Sequence, residues 1–172
     1  MNDAHGFVID APSLECLDIV VYKAGFCAFD NNMSKIVKAN IDVNYLHPGK
    51  VLSSITSVER LKGSVSCCDS PKLRGLKLDQ CHTLRSHEPR PCWIEPSSVP
   101  DCLLSSLETF EWVKYEGTEE EKEVAAFILR TGSCLQKVTI SSKSTELDKK
   151  FEMLKELSLS FRRSPTCQLA FD

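Results

Sequence analysis

A short apolar pattern recurs along this chain of 172 residues and limits the folds it can adopt more than any other feature. The pattern is apolar-x-x-apolar-x-apolar, and it is clearest at residues 14–19 and 73–78. Its last two apolar residues are two apart, so in a β-strand their side chains lie on the same face. Because a strand with one apolar face must pack on similar neighbours, the recurrence predicts a stacked array of strands. Copies begin at residues 14, 36, 58, 73, 107 and 135.

The intervals between copies indicate the kind of array. The first two intervals are 22 residues, and leucine-rich repeats have a period of about 20–29 residues. The interval from 58 to 73 is only 15 residues, which is too short for a strand and its return segment. We interpret residues 1–82 as a short leucine-rich-repeat-like segment, shortened internally near residues 63–68.

The second half of the chain predicts a small α/β unit. Thr118 and Glu121 have the spacing of a capping box, which predicts a helix over 118–130. A second helix is expected from Thr145 to about 158–160, and a last strand at 167–171. The order strand, helix, strand, helix, strand predicts a sheet covered by two helices. The second helix would carry an apolar stripe of Leu147, Phe151, Leu154 and Leu157.

Prolines separate the two halves. Four of the eight prolines fall between residues 89 and 100. Proline fixes φ and lacks a backbone donor, so we expect an irregular connection over residues 83–103.

Composition narrows the class of protein. The net charge is -3, which predicts no nucleic-acid binding, and no apolar stretch is long enough to cross a bilayer. Nine cysteines are an odd number, and no export signal is visible, so reduced thiols are expected rather than a disulfide framework. We expect an intracellular protein, cytoplasmic or nuclear.

Several segments resemble, in order, the FBD domain of plant F-box proteins. They are residues 99–112, 119–129, 134–140, 153–157 and 167–172. Residues 9–17 and 69–78 resemble the leucine-rich segment that precedes FBD in the same family. The resemblance predicts an α/β fold in which a short leucine-rich-repeat-like strand array is followed by a small FBD domain over 99–172.

The resemblance also implies a function. The family places an F-box before the repeats and FBD, and acts as the substrate-recognition subunit of SCF-type ubiquitin ligases. We therefore expect a non-catalytic module that contacts a protein partner, the protein to be ubiquitinated, and needs no cofactor. An F-box is not seen in this sequence, so no binding to a Skp-type adaptor is expected. An uncapped repeat edge near residues 7–20 predicts self-association.

Candidate contact residues lie in the connection and just before it. Trp93 stands among prolines and is a candidate anchor for a protein partner. His82, Arg85 and His87 are the other candidate contacts. No catalytic residues are assigned, because the chain has no Gly-x-Gly-x-x-Gly motif, P-loop or nucleophile signature.

Two other interpretations remain open. Cys81, His82, His87 and Cys92 could form a metal site, but Cys81 and His82 are adjacent and the usual paired-cysteine spacing is missing. The chain would then be a small metal-binding or thiol-dependent protein. Alternatively it is a truncated product with little function, or one that only competes with longer relatives.

Overall fold

The computed structural model describes residues 7–9, 11, 13–22, 27–29, 35–44, 72–81, 93, 95–96 and 98–172. In the first half, these residues form five strands: β1 Phe7–Ile9, β2 Cys16–Tyr22, β3 Cys27–Phe29, β4 Lys38–Asn44 and β5 Gly75–Cys81. The second half adds α1 Asp101–Ser105, β6 Thr109–Tyr115, α2 Glu119–Thr131, β7 Lys137–Ser142, α3 Leu147–Leu159 and β8 Gln168–Phe171.

Six of the strands form one sheet in which all neighbours are parallel. The order is β2-β4-β5-β6-β7-β8, and β1 pairs with β3 in a separate parallel pair. The predicted copies at 14, 36, 73, 107 and 135 each lead into a strand that begins two residues later. The copy at 58 and the segment 63–68 lie outside the described residues, and β4 pairs directly with β5.

The repeated pattern is aligned across the sheet. Strand pairing puts the second apolar residue of each copy in one column and the third in another. Every member of both columns is buried: Leu17, Ala39, Leu76, Phe110 and Val138 in the first, and Ile19, Ile41, Leu78, Trp112 and Ile140 in the second. A one-residue slip would turn both columns to the opposite face, so burial fixes the register.

The backbone repeats at each step as well. Before each strand, two successive amides donate to one carbonyl of the preceding strand segment. Val37 N and Lys38 N donate to Glu15 O at 2.8 and 3.2 Å. The same arrangement recurs at β5, β6 and β7, where the acceptors are the carbonyl oxygens of Val37, Arg74 and Glu108. The units therefore stack with one geometry from β2 to β7.

This stacking runs across the predicted division between the repeats and the FBD domain. β5 pairs with β6 in the same register as the other neighbours. Three ion pairs also cross this step. Arg74 Nη1 lies 3.4 Å from Glu108 Oε1, Lys77 Nζ lies 2.9 Å from Glu111 Oε1, and Lys114 Nζ lies 2.6 Å from Asp79 Oδ1. The two predicted segments thus share one sheet.

The first predicted helix is confirmed with its cap. α2 spans Glu119–Thr131, and Thr118 Oγ1 accepts a hydrogen bond from Glu121 N at 3.3 Å. Glu121 Oε2 in turn accepts from Thr118 N at 3.0 Å. The helix packs its buried side on the sheet through Val124, Ala125, Phe127, Ile128 and Leu129.

The predicted irregular connection contains a short helix at its end. α1 follows Pro100, whose fixed φ suits a helix start, and Leu103 N bonds back to Pro100 O at 3.0 Å. The prolines of this segment predicted irregular structure, but proline is excluded only from the interior of a helix and is favoured at its first positions.

The second predicted helix differs from expectation in its start and its apolar stripe. α3 begins at Leu147 after Glu146, and Thr145 does not cap it. Only Leu157 of the four stripe residues is buried, whereas Leu147 and Phe151 are 81% and 67% exposed. The stripe as a whole was wrong as a core contact, because the helix packs on the core through Leu157 alone of these four and through Met153, which is not part of the stripe. None of the helices in the described part could span a membrane.

A bulge near the end of β6 brings a tyrosine into the core. Lys114 has a positive φ of 64°, and the pairing with β7 shifts between Val113 and Tyr115. Tyr115 therefore faces the core and stacks edge-on against Trp112 at a centroid distance of 5.3 Å. Its hydroxyl is buried and has no hydrogen-bond partner among the described residues. Burial, and then the charge of Glu121, raises the pKa of this phenol above its ordinary value of 10.0.

This hydroxyl gives a prediction. We expect Tyr115→Phe to leave the free energy of unfolding unchanged or to raise it by up to about 1 kcal/mol, since it removes a buried polar group without a partner. Below pH 10 the neutral phenol is the stable form in both states. Above pH 10 the unfolded tyrosine ionises first, so the wild type loses stability as the pH rises.

Urea denaturation at pH 7 and at pH values above 10 measures both effects. The variant should lose less stability in alkali than the wild type. A loss of more than about 1 kcal/mol at pH 7 would show that the hydroxyl has a stabilising partner.

Candidate functional site: the outer face of the sheet

The face of the sheet opposite the core is the candidate site. Parallel sheets are usually covered by helices on both faces. Here the buried side chains of the strands and of α2 all belong to one side. The other side carries the alternate residues of each strand, which are polar or charged in most strands and accessible to solvent. A uniform parallel sheet with one polar, accessible face is a surface that a partner can contact across several strands.

Two columns of side chains define this outer face, one at the first residue of each strand and one at the third. The first column runs Cys16, Lys38, Gly75, Thr109, Lys137 and Gln168. The third-residue column runs Asp18, Asn40, Lys77, Glu111, Thr139 and Ala170. A groove of about 480 Å³ follows these columns from β2 to β7.

Gly75 lies in the middle of the groove. It is the only residue of the first column without a side chain, and the side chains of Thr109 and Lys38 lie close over it: a Cβ there would be 3.2 Å from Thr109 Oγ1 and 3.6 Å from Lys38 Cγ. Lys38 and Lys137 stand on either side of the Gly75–Thr109 pair. Neighbouring strands are about 4.8 Å apart, so the two lysine positions are about 14 Å apart across the sheet.

The charges on this face are only partly neutralised. Lys77 is paired with Glu111 inside the groove. Lys38 and Lys137 are exposed and make no ion pair with any residue that the structure describes. The groove therefore offers two free ammonium groups, and the exposed side chain of Asp18 lies at its β2 end.

A larger groove of about 810 Å³ lies where the strands begin, and three of its hydroxyl groups are already hydrogen-bonded to the backbone. Ser106 Oγ donates to Leu73 O at 2.9 Å, and Ser133 Oγ donates to Leu104 O at 2.5 Å. Ser164 Oγ donates to Leu135 O at 2.5 Å. These hydroxyls satisfy backbone carbonyls at the turns, so we assign this groove to the structure of the turns despite its volume.

Of the predicted contact residues, only Trp93 is described. Its ring meets Phe127 of α2 edge-on at 5.6 Å, and it is partly buried against the core. Glu95, two residues on, forms an ion pair with Arg130. These contacts hold the connection against α2, and a partner contact by Trp93 stays a prediction. His82, Arg85 and His87 lie outside the described residues.

The side chains of the four residues of the possible metal site also fall outside the described part of the structure. His82, His87 and Cys92 are outside the described residues, as is the side chain of Cys81. Among the residues that are described, no group of three His, Cys, Asp or Glu side chains could hold a metal ion. Four cysteine side chains are seen as free thiols, with Cys16 exposed and Cys102 buried. Burial raises the pKa of the Cys167 thiol, which lowers its reactivity.

The groove residues Lys38, Gly75 and Lys137 were not selected from the sequence. A signal was available, because all three occupy the position just before the second apolar residue of a copy. Aligning the copies of the repeated pattern with one another would have placed these three residues in one column.

Comparison with known proteins agrees with this architecture. Residues 95–140 match the FBD family model. A probable FBD-associated F-box protein of Arabidopsis thaliana is 60% identical to the whole chain. The chain is related over its whole length to the plant FBD-associated F-box proteins. An F-box/FBD/LRR-repeat protein of the same plant is 43% identical over 99% of the chain, and an FBD-associated F-box protein is 39% identical over 97%. No solved structure matches the chain significantly.

The alignments also bear on length. The chain spans about half the length of the curated relatives it matches: 49%, 48% and 46% for these three. The alignment with the first relative covers 206 positions and all 172 residues of this chain, so 34 positions have no counterpart in it. This agrees with the internal shortening predicted from the repeat spacing.

Proposed function

We propose that this chain is a non-catalytic protein-interaction module whose binding surface is the outer face of the sheet. The observation that carries the proposal is the alignment of outward side chains in one register over six parallel strands. Leucine-rich repeats are built from such stacked units and present extended binding surfaces, and the backbone steps from β2 to β7 support that architecture here. The names of the relatives, which include F-box and LRR-repeat, support a role in selecting proteins for ubiquitination.

The chemistry of the groove favours an acidic segment of the partner. Lys38 and Lys137 supply two free positive charges at the rim of the groove. Charged groups at the rim of an interface set specificity and association rate more than affinity. We infer a partner segment with carboxylate groups about 14 Å apart, the distance that three strand spacings give.

Charge reversal in the groove tests the proposal. We expect Lys38→Glu/Lys137→Glu to weaken capture of specific proteins from plant extract by at least about tenfold, because two attractive charges become repulsive. Quantitative mass spectrometry of proteins retained by the immobilised chain measures this. Gly75→Gln, which crowds Thr109 and Lys38 in the middle of the groove without changing charge, should reduce capture of the same proteins.

The matched control is Lys149→Glu/Arg163→Glu, which makes the same change of charge at exposed residues outside the groove. It should leave capture unchanged. Equal losses in both double variants would point to net charge alone and contradict the proposed site.

A further inference from the structure

At the β8 end of the sheet, helix α3 carries an exposed apolar face, and the structure shows which way this face points. In the described part, β8 pairs with β7 on one side only, so its other edge presents unpaired backbone groups. α3 connects β7 to β8 and exposes Leu147, Phe151 and Leu154. Leu147 and Phe151 are the most exposed large apolar side chains of this stripe.

Two contacts fix the rotation of α3 about its axis. Leu157 is 2% exposed and packs on the sheet. Glu156 turns toward α2, where its Oε2 lies 2.8 Å from Lys122 Nζ. Hydrogen bonds to Glu156 and then to Glu119 raise the pKa of Lys122, so its ammonium group is charged at neutral pH.

This rotation directs the apolar stripe away from α2. With about 100° per residue, Leu147, Phe151 and Leu154 lie about 140° to 200° around the axis from Glu156. Consecutive parallel strands joined by right-handed connections place α2 and α3 on one face of the sheet, side by side. The side of α3 opposite α2 is therefore the side of β8 and its open edge.

Two charged side chains beside the stripe would attract each other if two copies of the helix packed antiparallel. Asp148 and Lys155 are both exposed, lie on the same side of α3, and make no ion pair with any described residue. They are seven residues apart, which is about two helical turns or 10 Å. In an antiparallel copy of the same helix, Asp148 lies opposite Lys155 and Lys155 opposite Asp148, with Phe151 close to the centre.

We propose that a second copy of this chain docks on this surface through a twofold axis perpendicular to the sheet. The axis pairs the two β8 edges antiparallel, extends the sheet, and packs the two α3 stripes against each other on the same face. Such an interface is isologous, as most homodimer interfaces are. The short β8 and the few apolar side chains make it a small interface, so the dissociation constant falls in the micromolar range.

Sedimentation velocity of the full chain over a range of concentrations tests the proposal. The wild type forms a dimer as concentration rises. Leu147→Asp/Phe151→Asp places four carboxylates in the interface and raises the dissociation constant by at least about 100-fold. Leu159→Asp is the matched control, because Leu159 is 78% exposed on the same helix but lies outside the stripe. It leaves the dimer intact.

A charge exchange tests the antiparallel arrangement. Asp148→Lys alone places like charges opposite each other and weakens the dimer at least about tenfold. Asp148→Lys/Lys155→Asp restores the opposite-charge pairs and the dimer. Circular dichroism confirms that each variant is folded.

Three results would overturn the proposal. They are a wild-type monomer at every concentration, a dimer that survives Leu147→Asp/Phe151→Asp, and an α3 stripe that binds another protein while the chain stays monomeric. Lys38→Glu/Lys137→Glu leaves this dimer unchanged, because those lysines lie on the opposite face of the sheet. Failure of the dimer and failure of the outer-face function are therefore distinguishable.

Discussion

Trp112→Ala is expected to destabilise the protein strongly. Trp112 is completely buried at the centre of the sheet, and its ring meets those of Phe110 and Tyr115 edge-on at 6.0 and 5.3 Å. Removing a buried tryptophan costs about 3–5 kcal/mol, because the transfer energy is lost and a cavity is left. Domains of this size have a free energy of unfolding of about 5–15 kcal/mol, so the change removes a large part of it.

Urea denaturation followed by circular dichroism measures this effect. Trp112→Phe keeps part of the ring volume and should lose less stability than the alanine variant. Glu111→Ala is the control, because Glu111 is the preceding residue of β6 but faces the outer side. It should cost less than about 1 kcal/mol, the value of an exposed ion pair. Similar losses for Trp112→Ala and Glu111→Ala would contradict the assigned core face.

Glu121→Ala is the second large prediction, with an expected loss of about 2–4 kcal/mol. Glu121 is fully buried, and its Oε2 accepts hydrogen bonds from Glu116 N and Thr118 N, each at 3.0 Å. Hydrogen bonds to a charged group contribute about 1.5–3 kcal/mol, and removing the acceptor leaves these two backbone amides without their hydrogen-bond partner. The carboxylate also lies at the positive end of α2, where a negative charge is favourable.

The control for this variant lies two residues further along the helix. Glu123 is exposed, and Glu123→Ala should change the free energy of unfolding by less than about 0.5 kcal/mol. Thr118→Ala removes only the other half of the capping box and should cost about 1 kcal/mol. The expected order of loss is therefore Glu121, then Thr118, then Glu123. A loss at Glu121 no larger than that at Glu123 would show that its hydrogen bonds do not stabilise the fold.

Local patterns in the sequence predicted most elements of the second half. The capping box at Thr118 and Glu121 gave the start of α2, because both of its hydrogen bonds join residues three apart. The strand positions followed from alternation within six residues. Trp112 is the last apolar residue of the copy that begins at residue 107, and its side chain is buried. Each of these signals acts over a few residues and does not depend on the rest of the fold.

The sequence was less informative about α3. Its stripe repeats every three or four residues, as in a helix that packs its apolar side on a core. The same period fits a helix that buries one flank and exposes the stripe, because periodicity shows which residues share a face but not what covers it. The contacts of Leu157 with the core and of Glu156 with Lys122 decide the rotation, and both depend on the position of α2 and the sheet.

The sequence by itself determined the repeated strand, the cap of α2 and the relationship to the FBD-associated F-box proteins, because these depend on residues close together in the chain. Only the tertiary structure decided that the copies share one sheet in one register, and that Lys38, Gly75 and Lys137 line one groove. It also decided which side of α3 stays exposed. The physical reason is that strand pairing joins residues dozens of positions apart, and burial depends on what that pairing brings alongside.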